Sequence, residues 1–318
     1  MTLPHSLQAG IDEIVRGIGP RELERSARSL SDAYRAGGPP ASRAVRTAGG
    51  VAAYLATRAP ATYAAAAEIF HQICLARPNW APTSVLDLGA GPGIGSWAAV
   101  ETWPGIASVT LVEAEPEMVR AGKALAERGR VALQQASWTV SDGGAAGVQA
   151  DLVVVSYVIG ELEPTALDGF LHHAWNRTAD TLVIVEPGTT TGYRRTLAAR
   201  AAVVAAGGST LAPCPHDRPC PLPGGDWCHF AVRLPRSRTH RLAKDAERGF
   251  EDEKFSYAVL TRGQMEAATA RIIRRPERNP GHVVFSLCTT DGLQKRTITR
   301  RQKEAYRDAR KRVWGDSL

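Results

Sequence analysis

The sequence predicts an α/β protein built on a mostly parallel sheet, and three observations carry that reading. Four apolar, β-branched runs, VLDLGAG (85–91), SVTLVEA (108–114), DLVVVSYVIGEL (151–162) and TLVIVEPG (181–188), alternate with helical or polar segments. Strands alternating with helices imply parallel pairing through crossovers, with helices over both faces. The first run closes on a series of glycines, which let a ligand approach the backbone closely. Of the 318 residues, 44% are apolar and 22% charged, which excludes wholesale disorder. No apolar run approaches the roughly 18–20 residues of a membrane span, so no membrane partner is expected. The opening, MTLPHSLQAGIDEIV, has neither the basic start nor the apolar stretch of a signal peptide. The expectation is a soluble, cytoplasmic monomer.

Three regions follow. Residues 1–80 read as helical. Glu22 to Gly37 carries apolar side chains at helical spacing before a Gly-Gly-Pro-Pro stop at 37–40. A second helical pattern runs from Val51 to Ala76, and Pro60 should kink or split it. Cys74 falls on its apolar side as a core thiol. Residues 81–206 hold the strand runs and close on an Ala-rich helix from Tyr193 to Ala206. Residues 207–318 form a Cys-rich, basic extension. Its first segment, Thr210 to Phe230, is too rich in proline for a helix or central strand. A loop of that length usually has a function.

The first strand ends Asp87-Leu-Gly89-Ala90-Gly91-Pro-Gly93-Ile-Gly95. A dinucleotide fingerprint starting at Gly89 would need its third glycine at 94, where isoleucine stands. An acidic residue followed by G-x-G-x-G instead resembles motif I of the class I S-adenosylmethionine-dependent methyltransferases, a Rossmann-like fold. Glu113 ends the next strand, 26 residues beyond Asp87, where that family places an acid on the ribose hydroxyls. A carboxylate's two acceptor oxygens suit a vicinal diol. The resemblance implies S-adenosylmethionine held by Asp87, Gly89, Ala90, Gly91, Gly93, Glu113, Ala114 and Ser156. After the fourth run, Ser156-Tyr-Val-Ile-Gly160 lacks the Asn/Asp-Pro-Pro-aromatic signature of amino-directed nucleic-acid methyltransferases. Glu161 could serve as a base, although capping the next helix is the commoner use of a carboxylate there. No catalytic residue is assigned.

Five cysteines, an odd number, argue against a disulfide framework. Cys214, Cys220 and Cys228 crowd into fifteen residues, and Cys288 lies in a later apolar run, His282 to Gly292. Three thiolates from a loop and one from a strand could surround a metal. Prolines after Cys214 and Cys220 suit an iron–sulfur cluster, while nearby His216 and His229 keep zinc open. The charge is concentrated too. The chain carries a net +7, and Lys295 to Arg312 alone holds nine basic residues against two acidic ones. Arg296, Arg300, Lys303, Arg307 and Arg310 recur every three or four residues, so a helix would align them. Arg301 and Arg312 widen that stripe and Lys295 completes the basic set, which would attract polyphosphate. Trp314, just beyond, should pack on the domain or stack on a base.

YLATRAPATYAA (54–65), VLDLGAGPG, SYVIGEL (156–162), PCPHDRPCPL, DWCHF, RSRTHR, FEDEKFSYAVL (250–260) and ARKRVWGD (309–316) occur in this order. Together they resemble the bacterial and mitochondrial methyltransferase-like proteins associated with the small ribosomal subunit, over nearly the whole chain. The resemblance implies a [4Fe-4S] cluster on Cys214, Cys220, Cys228 and Cys288, with zinc as the alternative. It also implies S-adenosylmethionine at the glycine loop and a bacterial, cytoplasmic, ribosome-associated protein. Two functions are then expected in competition, with the enzyme favoured: methylation of small-subunit ribosomal RNA, or subunit assembly without turnover. A small-molecule or protein methyltransferase fits the pocket but leaves the basic segment unexplained.

Overall fold

The computed structural model describes residues 2–36, 44–141, 147–244, 249–264 and 268–318. The stop expected at 37–40 lies outside them. The chain opens on helices α1 (His5–Arg16), α2 (Pro20–Ala36), α3 (Ala48–Thr57) and α4 (Ala59–Ala76). Pro60 sits in the first turn of α4, where its missing N–H costs no hydrogen bond. The 51–76 pattern therefore splits at Arg58 rather than bending. Cys74 is half-buried against the core.

The central unit then runs β1 (Ser84–Leu88), α5 (Ile94–Thr102), β2 (Ser108–Glu113), α6 (Pro116–Ala126), α7 (Val131–Gln134), β3 (Ser137–Val140), β4 (Ala150–Ser156), α8 (Pro164–Arg177), β5 (Thr178–Pro187) and α9 (Thr190–Ala205). It continues through β6 (Ser209–Ala212), β7 (Phe230–Pro235), α10 (Arg238–Lys244) and β8 (Phe250–Thr261). Strands lie in the order β3-β2-β1-β4-β5-β8-β6, and β7 also pairs with β8. Pairing is parallel from β3 to β5, whereas β8 runs antiparallel to β5, β6 and β7. This is the class I methyltransferase fold.

Side-chain alternation explains why the strand runs are apolar throughout. Leu152 and Val154 of β4, with Val183 and Val185 of β5, point into a core shared with the N-terminal helices. Their neighbours Val153, Val155, Leu182 and Ile184 point into the opposite core, under α8 and α9. Both faces are covered, so neither set of alternate positions is polar.

A second, antiparallel sheet follows: β9 (Ala270–Ile272), β10 (Glu277–Asn279), β11 (His282–Thr289) and β12 (Gly292–Thr299), with β11 pairing all three others. A 3₁₀ turn (Arg300–Gln302) and the short α11 (Lys303–Ala309) cover it through Ala309 and Tyr306. The single helix expected over 296–310 is thereby corrected. Residues 292–299 are a strand registered residue for residue against β11, because Thr297, Ile298 and Thr299 are β-branched and β11 offers a free edge.

Candidate functional site

The strand order reverses between β1 and β4, and the crevice outside the carboxyl ends at such a switch point is where open α/β sheets take ligands. The glycine loop fills one side of it. Gly89 and Gly91 have φ of 69° and 55°, which L side chains rarely adopt. A Cβ on Gly89 would stand 2.4 Å from Val158 of the β4 loop, so glycine lets the two loops meet. At Gly91 a Cβ would meet no clash, only ordinary contact with Met118 Cε at 3.6 Å and the Tyr54 hydroxyl at 3.8 Å.

Glu113 closes the end of β2. Its Oε2 accepts from the Gly91 amide at 2.7 Å and Oε1 from the Glu115 amide at 2.8 Å. Two backbone donors thus orient the carboxylate and leave further lone pairs for a diol. Burial raises its pKa. Asp87 plays a different part. It is fully buried, and its Oδ2 accepts from the Ser96 amide at 3.0 Å and the Ser96 hydroxyl at 2.9 Å, holding the start of α5 beneath the loop. Burial pushes its pKa up to about 7.

A cavity of about 550 Å³ opens over these residues. Of the eight residues expected at the cofactor, Gly89, Gly91, Glu113, Ala114 and Ser156 line it, and Asp87, Ala90 and Gly93 do not. A Cβ at Gly93 would meet Leu111 at 2.9 Å, which marks that glycine as a packing position. Sequence reasoning missed Tyr34, Tyr54, Glu115, Met118 and His173, which also line the cavity. Tyr34 and Tyr54 come from the N-terminal helices, so that region is part of the site. Arg46 grips Glu115 through three hydrogen bonds of 2.8–3.0 Å, fastening the helices to the end of β2.

Glu161 also lines the cavity. The capping use is not what the fold shows: α8 starts after Glu163, with no side-chain cap. Burial first, then the charge of Glu113, push Glu161 up to about 7, opposed by a hydrogen bond from the Tyr34 side chain. Tyr157 beside it holds φ of 61°, a strained value for a bulky residue. Its amide donates to Val185 O at 2.7 Å, and its hydroxyl to Glu253 at 3.0 Å.

Across the sheet, Cys214, Cys220, Cys228 and Cys288 line one largely apolar cavity. The first three lie on the loop between β6 and β7, and Cys288 lies on β11 of the second sheet. Buried Arg200 donates to the carbonyls of His216 and Arg218, and buried Arg271 to that of Pro213 at 3.0 Å. Both guanidinium groups line the same cavity. The Tyr193 hydroxyl donates to Cys220 Sγ at 3.1 Å. Burial, with repulsion among the sulfurs, raises the thiols of Cys214, Cys228 and Cys288, the last to about 12. Among the described residues no three His, Cys, Asp or Glu side chains are grouped to hold a single metal ion.

Lys295, Arg296, Arg300, Arg301, Lys303, Arg307 and Arg310 are all exposed, spread over β12, the 3₁₀ turn and α11. Trp314 packs, with its ring 4.9 Å from His229 and 6.4 Å from Phe230. No helix among the described residues is long and apolar enough to cross a membrane.

The chain is 31% identical over 286 residues to the human protein "Ribosome assembly protein METTL17, mitochondrial", covering 83% of this chain and 61% of that one. It is 25% identical to Schizosaccharomyces pombe "Rsm22-cox11 tandem protein 2, mitochondrial", covering 84% and 42% respectively. The chain thus spans about three fifths or less of these relatives. Among solved structures, magnesium protoporphyrin IX methyltransferase from Synechocystis PCC 6803 with bound S-adenosylmethionine matches at 14% identity and a TM-score of 0.44, over 64% of this chain and 80% of that one. The expected bacterial cytoplasmic location is overturned, since the relatives are mitochondrial and point to that compartment. A family model described as "Mitochondrial small ribosomal subunit Rsm22" matches residues 48–318, and the chain belongs to that family.

Proposed function

We propose that the protein binds S-adenosylmethionine in the glycine-loop cavity and serves assembly of the small ribosomal subunit, with its basic C-terminal surface resting on ribosomal RNA. One observation carries this reading: a chain of the Rsm22 family keeps the glycine loop, Glu113 and an open cavity in one place. Glu113 would take the ribose diol, and Gly89 and Gly91 would admit the ligand against the backbone. The cofactor, when bound, supplies an electrophilic methyl group on a sulfonium. Exposed arginines and lysines on β12 and α11 suit phosphate contacts, which give affinity rather than base choice.

The four cysteines would hold a [4Fe-4S] cluster. In support, all four thiols line one cavity, and two buried arginines beside them offset the charge of thiolates. A cluster distributes its thiolates over several irons, whereas zinc, the alternative, gathers four at one point. Either would tie the β6–β7 loop to β11. Protein purified without oxygen should be brown with iron and sulfide; stoichiometric zinc alone would exclude the cluster.

Glu161 favours a second reading, methyl transfer to small-subunit RNA, since a cavity carboxylate that titrates near neutrality can accept a nucleophile's proton. Calorimetry with S-adenosylmethionine tests the shared cofactor claim, and no binding to folded protein would end it. Modification maps of small-subunit RNA from cells with and without the gene, read beside subunit profiles, separate the two. Lost subunits with an unchanged map mean assembly alone.

A further inference from the structure

The cavity holds three carboxylates with unequal partners. Glu113 is occupied by two backbone amides. Glu115 is neutralised by Arg46. Glu161 has the Tyr34 side chain and, among the described residues, no basic side chain bonded to it. The groups around it are acidic or phenolic: Glu113 and Glu115 at the end of β2, Tyr34 on α2, Tyr54 on α3 and Glu186 at the end of β5. The nearby basic groups are committed elsewhere: Arg58 stacks 4.9 Å over the Tyr34 ring, and Arg195 acts on Glu186. His173, across the cavity, is held toward its neutral form by burial. Glu161 is thus the carboxylate of this wall with no cation or pair of backbone amides matched to it among the described residues.

We infer that Glu161 is the carboxylate that reads the positive charge of the ligand, so that the cavity selects the sulfonium S-adenosylmethionine over the neutral thioether S-adenosylhomocysteine. This rests on the cavity binding that cofactor. The two ligands share the adenosine, the ribose diol and the amino-acid ammonium, and differ at sulfur by a methyl group and one charge. Of these two differences, a carboxylate reads the charge. When the cation arrives it favours ionised Glu161, and the carboxyl proton leaves to solvent; the neutral thioether leaves that proton in place. No bond to carbon or sulfur changes.

The test is calorimetry of the full-length protein at pH 7 in phosphate and in Tris, buffers of different ionisation enthalpy. S-adenosylmethionine should release roughly half a proton, since Glu161 titrates at about 7, and S-adenosylhomocysteine should release less. The sulfonium should bind about tenfold more tightly or better, the scale of one charge-assisted contact. Glu161→Gln, checked for folding by its thermal melt, should abolish both differences while retaining S-adenosylhomocysteine. An analogue with a protonated amine in place of the sulfonium should behave as the cation does. Equal proton release with both ligands would place Glu161 at the shared ammonium and overturn the inference, as would an unchanged preference in Glu161→Gln. Binding of neither ligand to the wild type would overturn the cofactor reading itself.

Discussion

Asp87 shows how a residue can matter to a pocket it does not line. Its carboxylate holds Ser96 at the start of α5, so the glycine loop is stretched between a fixed strand end and a fixed helix end. Asp87→Ala should lower stability by about 1–3 kcal/mol, the range for a buried capping interaction, and weaken the cofactor only through the loop. Thermal melts beside calorimetry distinguish this from direct contact, which would weaken binding without the melting shift. Glu186 is the sharper case. It is fully buried, Oε1 accepts from the Gly160 amide at 3.3 Å, Oε2 has no hydrogen-bond partner among the described residues, and burial, opposed in part by the charge of Arg195, raises its pKa to about 8. Asp87 and Glu161 are raised to about 7. A raised carboxyl pKa means the folded state holds the proton more tightly than the unfolded state. The stabilisation is therefore complete below about pH 4 and is lost as pH climbs through 7 and 8. Melting temperature should fall over that window, and Glu186→Gln should flatten the fall, melting above the parent at pH 8.5. A variant that tracks the parent at every pH would show that Glu186 does not ionise there.

At the scale of elements, the basic surface is a composite of strand, turn and helix. Charge reversal at Arg300, in the turn, and Arg307, on α11, should weaken binding to small-subunit RNA. Each lost phosphate contact should take roughly 0.7–0.9 from the slope of log affinity against log salt. An unchanged slope would move the RNA surface elsewhere, and calorimetry should find cofactor binding intact. The charges themselves were legible in the sequence, but their spacing was not decisive. Basic residues at intervals of three and four satisfy a helix, and they equally satisfy a strand that turns into one. What decided the matter was β11, a partner whose edge no local pattern reveals. The apolar β4 and β5 runs were readable because burial on both faces leaves no polar alternation to confuse them. The glycine loop and Glu113 were readable because consecutive strand ends bring them together. Tyr34, Tyr54 and His173 reach the cavity from helices whose patterns tell inside from outside, without telling which inward residues meet a ligand. Glu161 drew notice as a carboxylate after β4, yet only the late start of α8 at Pro164 frees it from capping.

For the whole molecule, β8 joins the two candidate sites. Glu253 on it receives the hydroxyl of Tyr157 at the glycine-loop cavity, and three residues on, the Ser256 hydroxyl donates to the carbonyl of Cys228 at 2.7 Å. The far edge of β8 is shared by two strands laid end to end. β6 meets it at Val259–Thr261 and β7 at Phe250–Phe255, both pointing the same way. Only residues 256–258 separate the two, a distance an extended chain covers with about three or four residues at roughly 3.4 Å each. The protein uses residues 213–229 instead. Topologically those residues are an excursion from what could be one continuous edge strand, and they carry three of the four clustered thiols. A splice of four extended residues in their place, with Arg200→Leu and Arg271→Leu because the loop carbonyls those buried guanidinium groups donate to are lost, should leave the strand order standing while removing three of the four thiols. If the spliced protein folds with its strand order intact, the excursion is an independent attachment that the sheet hosts. If it fails to fold, loop and sheet are one structure.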